Sequence, residues 1–121
     1  KFLMISATAT GTSFFNQTVG DALKDHPTEM RQLIVELCQL FSAMGYDLGE
    51  DAVERTIERQ TFMIPTSTSS MHVDFMAGRP TELENLTGYV VRAARSLGLS
   101  LPTYERMYHA LATEPYPPEI H

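Results

Sequence analysis

The residues most able to do chemistry lie in the segment 69–82, where two serines are followed by a glutamate twelve residues after the second. Ser69 and Ser70 stand at the start of a predicted short helix. A hydroxyl group and the free N–H groups of a first helical turn can together bind a carboxylate or a phosphate. The same serines can equally act as an N-cap, which contributes about 1 kcal/mol to helix stability. Glu82, in the first turn of the next predicted helix, can interact with the helix dipole or accept a hydrogen bond in a cleft. Spacing alone favours the structural interpretation of both, and a cleft shared by Ser70 and Glu82 is the functional hypothesis.

Other arrangements that carry chemistry are missing from the sequence. The four histidines have no metal-ligand spacing, so a metal site is not expected; they are His26, His72, His109 and His121. There is no Gly-x-Gly-x-x-Gly and no P-loop, so this chain does not itself cradle a nucleotide pyrophosphate.

Composition narrows the class of partner and compartment. Nine basic residues against fifteen acidic ones give a net charge of −6, which argues against nucleic-acid binding. Cys38, the single cysteine, is predicted to be a small core side chain. A lone thiol suits a reducing compartment, and we expect a cytoplasmic protein. No apolar segment approaches the length of a transmembrane helix.

Apolar spacing predicts helices through the first half of the chain. The most regular pattern predicts a helix from Pro27 to Met44 that Gly45 ends. A second pattern begins near Gly49 and stops at Pro65. The side chains expected to face inward from it are Val53, Ile57 and either Thr61 or Ile64.

The second half of the chain is predicted to contain three more helices. A hydroxyl-rich loop leads into a short helix from Ser70 to Ala77, which Gly78 and Pro80 end. Thr81 and Glu84 have the spacing of a capping box that opens the next helix. Its predicted buried face comprises Leu83, Leu86, Val90, Val91, Ala94 and Leu97. Gly98 ends that helix and Pro102 begins the last one.

The fold class follows from these patterns. Residues 2–15 fit a helix or a strand, and we favour a helix because no second strand is available to pair with it. We therefore predict an all-α fold, one domain over residues 1–121 with an irregular tail at 113–121. The chain begins at Lys1 rather than at a methionine, so we expect it to be a piece of a longer polypeptide.

Beyond these patterns, the run SSMHVDFMAGRPTELENLTGYVVRAARSLGLSLPTYERMYHAL resembles the C-terminal domain of the ketopantoate reductase family. The resemblance rests on a Ser-Ser-Met, an Asp three residues after that Met, and a Gly-Arg-Pro-Thr-Glu corner. Gly88 and the Gly98-to-Pro102 junction follow in order. It is close in the second half of the chain and extends to the first half by layout.

The resemblance implies a fold and a reaction. The fold is that of the ketopantoate reductase and 6-phosphogluconate dehydrogenase C-terminal domains, which follow an N-terminal Rossmann domain that binds NADPH. The active site then lies between the two domains, where the 2-oxo group of ketopantoate is reduced to pantoate for pantothenate biosynthesis. No Rossmann domain is present in this chain, so we expect the isolated fragment to be inactive and to show no saturable NADPH binding.

The resemblance also implies roles for individual residues. Lys1 matches the catalytic lysine, whose ammonium polarises the carbonyl and donates a proton. Ser70 matches the substrate-binding serine. Glu82 matches the acidic residue that contacts substrate and lysine, where a carboxylate can orient the ammonium.

This sequence departs from the family at two positions on the first helix. Family members carry asparagines four and eight residues after the lysine, and these positions are Ile5 and Ala9 here. Thr8 can supply a substrate-binding hydroxyl on roughly the same face. Two alternatives therefore stay open beside an NADPH-dependent 2-dehydropantoate 2-reductase: a related reductase of another 2-oxo acid, and a non-catalytic helical association module. A domain without its Rossmann partner exposes apolar surface, so a homodimer is also expected.

Overall fold

The computed structural model describes residues 1–120, and within that part regular secondary structure is helical throughout. This confirms the all-α fold. Seven α-helices and one π-helical segment follow one another in chain order: α1 Phe2–Phe15, α2 Val19–Asp25, α3 Pro27–Ala43, α4 Ala52–Thr61, α5 Ser70–Ala77, the π-helical segment Glu84–Gly88, α6 Tyr89–Ser96 and α7 Pro102–Thr113.

Helix α1 is the central element of the domain. It contacts α2, α3, α4, α5, α7 and the π-helical segment, and every residue from Ser6 to Phe15 is buried. Gly11 allows α3 to approach closely, because a Cβ at this position would overlap the sulfur atom of Met30. The buried polar side chains of such a helix cannot reach water, so they must form hydrogen bonds with other parts of the protein. This requirement explains the hydroxyl pairs described below.

Three predicted helices are confirmed nearly to the residue. Helix α3 runs from Pro27 to Ala43 and is followed by Gly45 with a φ of 97°. Helix α5 covers Ser70–Ala77, and Gly78 ends it in the left-handed conformation that glycine favours. Helix α7 begins at Pro102, and the N–H group that proline lacks would have no acceptor within the first helical turn.

The inward face predicted for α4 is right for Val53 and Ile57, which are partly buried and pack against the core, and wrong for Thr61 and Ile64. Ala52, Thr56 and Gln60 are its buried residues, whereas Thr61 and Ile64 are exposed and the helix ends before Pro65. The apolar stripe lies at the edge of the contact with α1 and α3. The small and amide side chains fit beneath it, against the hydroxyl-bearing helix α1.

The predicted capping box at Thr81 and Glu84 does not form. The Thr81 hydroxyl accepts a hydrogen bond from the Leu83 amide at 3.2 Å. The Glu84 carboxylate instead accepts from Arg92 Nη1 at 2.7 Å and from the Tyr108 hydroxyl at 2.8 Å. Glu84 opens the π-helical segment, whose wider turn the helix prediction did not anticipate.

The buried face predicted for this helix is right with one exception. Leu83, Val90, Val91 and Ala94 are buried and Leu86 packs against the core. Leu97, placed after the last helical turn, is 48% exposed.

Helix α2, which the sequence patterns did not predict, fixes the hydroxyl-rich loop. The amide of Val19 donates to the Ser67 carbonyl and that of Gly20 to the Pro65 carbonyl, both at 2.9 Å. A Cβ at Gly20 would lie 2.8 Å from that same Pro65 oxygen. The first turn of α2 therefore holds the loop that delivers Ser69 and Ser70.

The end of the chain is irregular but anchored. Residues 114–120 have no regular secondary structure. The Tyr116 ring stacks on Phe75 with centroids 4.9 Å apart, and its hydroxyl donates to the Ser13 carbonyl at 2.7 Å. Burial raises the pKa of Tyr116 to about 12. His121 lies outside the described residues.

Two further expectations concern Cys38 and membrane spans. Cys38 is half-buried and packs at the edge of the core, where burial raises the pKa of its thiol. Within residues 1–120, every helix is too short or too polar to cross a bilayer.

Candidate functional site

A small pocket lies between the first half of α1 and the start of α5. Its volume is about 200 Å³. It contains three hydroxyl groups among mainly apolar walls, and its lining residues are Met4, Ile5, Thr8, Ala9, Met63, Ser69, Ser70 and Leu86. The pocket therefore brings together Ser70 and Thr8, and also the two positions, Ile5 and Ala9, where the family's asparagines are expected.

The two serines at the start of α5 have different roles in the hydrogen bonding. Ser69 is the N-cap, and its hydroxyl oxygen accepts from the His72 amide at 3.1 Å. Thr12 donates its hydroxyl hydrogen to the Thr8 carbonyl at 2.7 Å, so the 2.7 Å contact between Thr12 and Ser69 must use the hydrogen of Ser69. The Ser69 hydroxyl therefore both accepts and donates a hydrogen bond within the fold.

Ser70 has no such commitment. It is exposed at the first position of α5, and its hydroxyl makes no hydrogen bond within residues 1–120. The capping interpretation therefore holds for Ser69, and Ser70 keeps a hydroxyl that can meet a ligand at the start of the helix.

Behind the serines, His72 completes a neutral polar cluster. Its Nδ1 lies 2.7 Å from the Thr68 hydroxyl and its Nε2 lies 2.7 Å from Asn16 Oδ1. An amide oxygen only accepts, so Nε2 carries the hydrogen and Nδ1 accepts from Thr68. Burial lowers the pKa of His72, which favours this neutral form. The cluster fixes the loop against the end of α1.

The π-helical segment forms the wall opposite α5. Its Leu86 lines the pocket, and the Leu86 carbonyl accepts from the Ser6 hydroxyl at 2.6 Å. A hydroxyl pair, Thr10 with Thr87, also joins α1 to the π-helical segment at 2.7 Å. Single π-helical turns often occur at functional sites. Here the wide turn presents a carbonyl to α1 while its apolar side chain faces the pocket.

Lys1 stands at the N-terminus of α1, one turn before the pocket. It is the N-cap residue, its carbonyl accepts from the Ile5 amide at 3.2 Å, and its side chain is exposed. Residues four apart share a helix face, so Lys1 lies about 6 Å along the axis from a pocket-lining residue. None of the ion pairs within residues 1–120 includes its ammonium.

Glu82 stands four residues before Leu86, a lining residue of the π-helical segment. Its carbonyl accepts from the Leu86 amide at 2.9 Å, which places it one turn before that lining residue. Its exposed carboxylate accepts from Asn85 Nδ2 at 2.7 Å. Across residues 1–120 there is no hydrogen bond between Glu82 and Lys1 or Ser70. The structure thus brings Ser70 and Thr8 into one pocket, and neither Lys1 nor Glu82 is among the residues that line it.

Several lining residues were not predicted from the sequence. Met4, Met63 and Leu86 supply apolar wall, and Gln60 lies behind Thr8, with its Nε2 donating to the Thr8 hydroxyl at 3.1 Å. The sequence signal for Gln60 is its four-residue spacing from Thr56 and Ala52, which places the three residues on one face of α4. The small side chains of Ala52 and Thr56 allow that face to pack closely. Within residues 1–120 no group of histidine, cysteine and acidic side chains could hold a metal ion.

Solved structures with this fold define the class of protein. The domain superposes on a 2-dehydropantoate 2-reductase from Porphyromonas gingivalis with a TM-score of 0.74 and 35% identity, covering 93% of this chain and 32% of that one. It superposes on a dimeric ketopantoate reductase from Staphylococcus aureus with a TM-score of 0.84 and 25% identity, covering 93% of this chain and 40% of that one. The chain is thus an all-helical domain of the kind found in oxidoreductases that are more than twice its length.

Sequence comparison identifies the family. The model described as "Ketopantoate reductase PanE/ApbA C terminal" matches residues 1–114. The 2-dehydropantoate 2-reductase of Yersinia pestis is 28% identical over 100 residues, which are 83% of this chain and 33% of that protein. The chain belongs to the ketopantoate reductase family, as its C-terminal domain. It spans about a third of the length of the curated relatives it matches.

Proposed function

We propose that this chain is the substrate-binding domain of an NADPH-dependent 2-dehydropantoate 2-reductase. The observation that supports the proposal is the pocket itself: in a domain of this family, Ser70 and Thr8 line one cavity, and Lys1 and Glu82 each precede a lining residue by four positions. The missing partner is an N-terminal Rossmann domain of the same polypeptide, which closes the open side of the pocket.

The cofactor belongs to that other domain. This sequence has no glycine-rich loop of the Rossmann type, so its residues fit a role as the substrate wall and not as the nucleotide cradle. When bound, NADPH supplies a hydride to the carbonyl carbon of the 2-oxo acid.

The residues of this chain then supply binding and a proton. The Ser70 hydroxyl and the first-turn N–H groups of α5 hold the substrate carboxylate. The Lys1 ammonium donates its proton to the carbonyl oxygen as negative charge develops there, and the product is a 2-hydroxy acid. Glu82 orients the ammonium. Neither group needs to lie deep in the pocket, because the Rossmann domain covers its open side.

A second candidate is a reductase of another 2-oxo acid. The observation that favours it is the apolar wall formed by Ile5 and Ala9, where family members are expected to carry asparagines. Such a wall suits a substrate with an alkyl side chain and no hydroxyl group, because an unpaired substrate hydroxyl there would lose its hydrogen bonds to water.

Substrate profiling of the full-length protein separates the two. We expect NADPH-dependent reduction of 2-dehydropantoate with a higher kcat/KM than for 2-oxoisovalerate, which lacks the hydroxyl group. The reverse order would support the second candidate, and no reduction of any 2-oxo acid would refute both.

Substitution of Ser70 tests the pocket. Ser70→Ala should raise KM about tenfold or more and leave kcat nearly unchanged, because a hydrogen bond to a charged group is lost in the ground state and the transition state alike. Ser96→Ala, at an exposed serine of α6, is the matched control. An unchanged KM for Ser70→Ala would remove Ser70 from the binding site.

A further inference from the structure

Gln60 is a buried amide behind the pocket, and the proposed reaction assigns it no role. It lies in the last turn of α4 and is 1% exposed. Its Nε2 donates to the Thr8 hydroxyl oxygen at 3.1 Å. Its Oε1 is buried without a hydrogen-bond partner within residues 1–120. An unsatisfied buried amide oxygen lowers the stability of the fold. The Gln60 amide nevertheless stays buried, with its nitrogen bonded to Thr8.

Thr8 behaves differently from three other helical threonines of this chain. The hydroxyls of Thr12, Thr56 and Thr113 each donate to the carbonyl four residues earlier, at 2.7 or 2.8 Å. The Thr8 hydroxyl makes no such bond to the Met4 carbonyl, and within residues 1–120 its hydrogen bonding is limited to the bond it accepts from Gln60. Its hydrogen is therefore uncommitted, in a side chain that lines the pocket.

We propose that Gln60 is a positioning residue that keeps the Thr8 hydroxyl available as a donor to an oxygen of the substrate. A threonine hydroxyl has one hydrogen and can donate it either to the preceding turn or to a ligand. The amide hydrogen of Gln60 occupies the hydroxyl oxygen from behind and favours the rotamer seen here. Without it, the hydroxyl is free to turn and donate to the Met4 carbonyl, as Thr12, Thr56 and Thr113 do to theirs. This inference rests on the proposed function, since it assigns Thr8 to substrate binding.

The pocket thereby presents two donors, Thr8 on α1 and Ser70 on α5, in a cavity whose remaining walls are mostly apolar. Ser69, between them, has no hydrogen to offer because Thr12 accepts it. Two convergent donors suit the oxygens of a 2-oxo acid, and Thr8, held by Gln60, supplies on α1 a donor directed into the pocket where the family's asparagines are expected.

The test uses the full-length protein with NADPH and 2-dehydropantoate. Gln60→Met keeps the side-chain length and removes the donor, and Thr8→Val keeps the shape and removes the hydroxyl. Each should raise KM about three- to tenfold with kcat changed less than twofold, as expected for one neutral hydrogen bond. The double variant should be no more than twofold worse than either single one, because both remove the same interaction. Gln39→Met, at an exposed glutamine of α3, is the matched control. Independent, additive effects on KM would overturn the proposal.

A further variant reports on the direction of the hydrogen bond. In Gln60→Glu an ionised carboxylate can only accept from Thr8, whereas the protonated acid can donate to it as the amide does. The KM of Gln60→Glu relative to wild type should therefore fall as the pH is lowered. A ratio that does not change with pH would count against the proposed direction.

The outcomes distinguish this inference from the proposed function. Calorimetric binding of 2-dehydropantoate to the NADP⁺ complex gives the same comparison independently of turnover, and denaturation curves verify that each variant is folded. If wild type binds and Gln60→Met binds equally well, the positioning role is refuted and the proposed function stands. If wild type neither binds nor reduces a 2-oxo acid, both are refuted.

Discussion

Replacing Gly20 by alanine should destabilise the domain although it introduces a better helix former. Gly20 lies in the first turn of α2, and its amide donates to the Pro65 carbonyl at 2.9 Å. An added Cβ would lie 2.8 Å from that oxygen and 3.0 Å from the Pro65 Cα. Both are backbone atoms, so the new methyl group cannot be accommodated by a side-chain rotation. The loop that leads to Ser69 and Ser70 has to move.

The magnitude follows from three contributions. Separation of the two segments weakens the hydrogen bond, which costs about 1 kcal/mol. Overpacking against backbone costs about 1–3 kcal/mol. The gain in helix propensity and the loss of unfolded-chain entropy return about 0.5–1 kcal/mol. The free energy of unfolding should therefore fall by about 1–3.5 kcal/mol. In the full-length protein KM should rise, because Ser70 follows the displaced loop.

Urea denaturation of this chain, followed by circular dichroism, measures the change. Gly88→Ala is the control, since the three atoms nearest to a Cβ at Gly88 would belong to the side chains of Glu84, Arg92 and Tyr108. These can adjust, so a smaller loss is expected. If Gly20→Ala were neutral or stabilising, the contact between α2 and the loop would not hold the site in place.

The remaining predictions concern two buried ionisable groups. Glu36 accepts hydrogen bonds from the Thr103 and Tyr104 amides at 3.0 and 2.9 Å. Glu36→Gln should lower the free energy of unfolding by about 1–3 kcal/mol, because the glutamine amide has one acceptor oxygen where the carboxylate has two. An unchanged urea midpoint would contradict this. Because the pKa of His72 is lowered in the folded state, the unfolded chain binds the extra proton first as the pH falls. The stability contributed by neutral His72 is therefore complete above the ordinary histidine pKa of about 6.5 and declines below it, by at most about 1.4 kcal/mol per pH unit until the folded-state pKa is reached. Urea curves across this range should show a shallower pH dependence in His72→Gln than in the control His109→Gln, and equal slopes would refute the assignment.

Helix limits could be predicted from the sequence because local chemistry sets them. Pro27 and Pro102 open helices with a fixed φ, and Gly45 and Gly78 end helices by adopting positive φ. These preferences act within a few residues and depend little on the rest of the fold.

The orientation of elements could not be predicted in the same way. The buried face of α4 is the one with Thr56 and Gln60, because its neighbour α1 carries hydroxyl groups that need partners. Hydrophobic periodicity detects apolar contacts and gives no signal for a polar one. The π-helical turn likewise depends on tertiary contacts, among them the bond from Ser6 to Leu86, eighty residues apart in the chain.

The candidate site shows the same division. Ser70 and Glu82 lie in one recognisable segment, so the sequence alone suggested that they could share a cleft. Lys1 and Thr8 lie in another helix, and the resemblance to the family was needed to connect them with that segment. Packing of α1 against α5 then explains how Thr8 and Ser70 come to line one pocket.

The most direct test of the central claim is the steady-state kinetics of Lys1→Ala in the full-length protein with NADPH and 2-dehydropantoate. Loss of a general acid should lower kcat by about 10²- to 10⁴-fold, whereas Lys24→Ala, at an exposed lysine of α2, should leave kcat unchanged. A Lys1→Ala enzyme with the kcat of wild type would show that the proton comes from elsewhere and would contradict the proposed site.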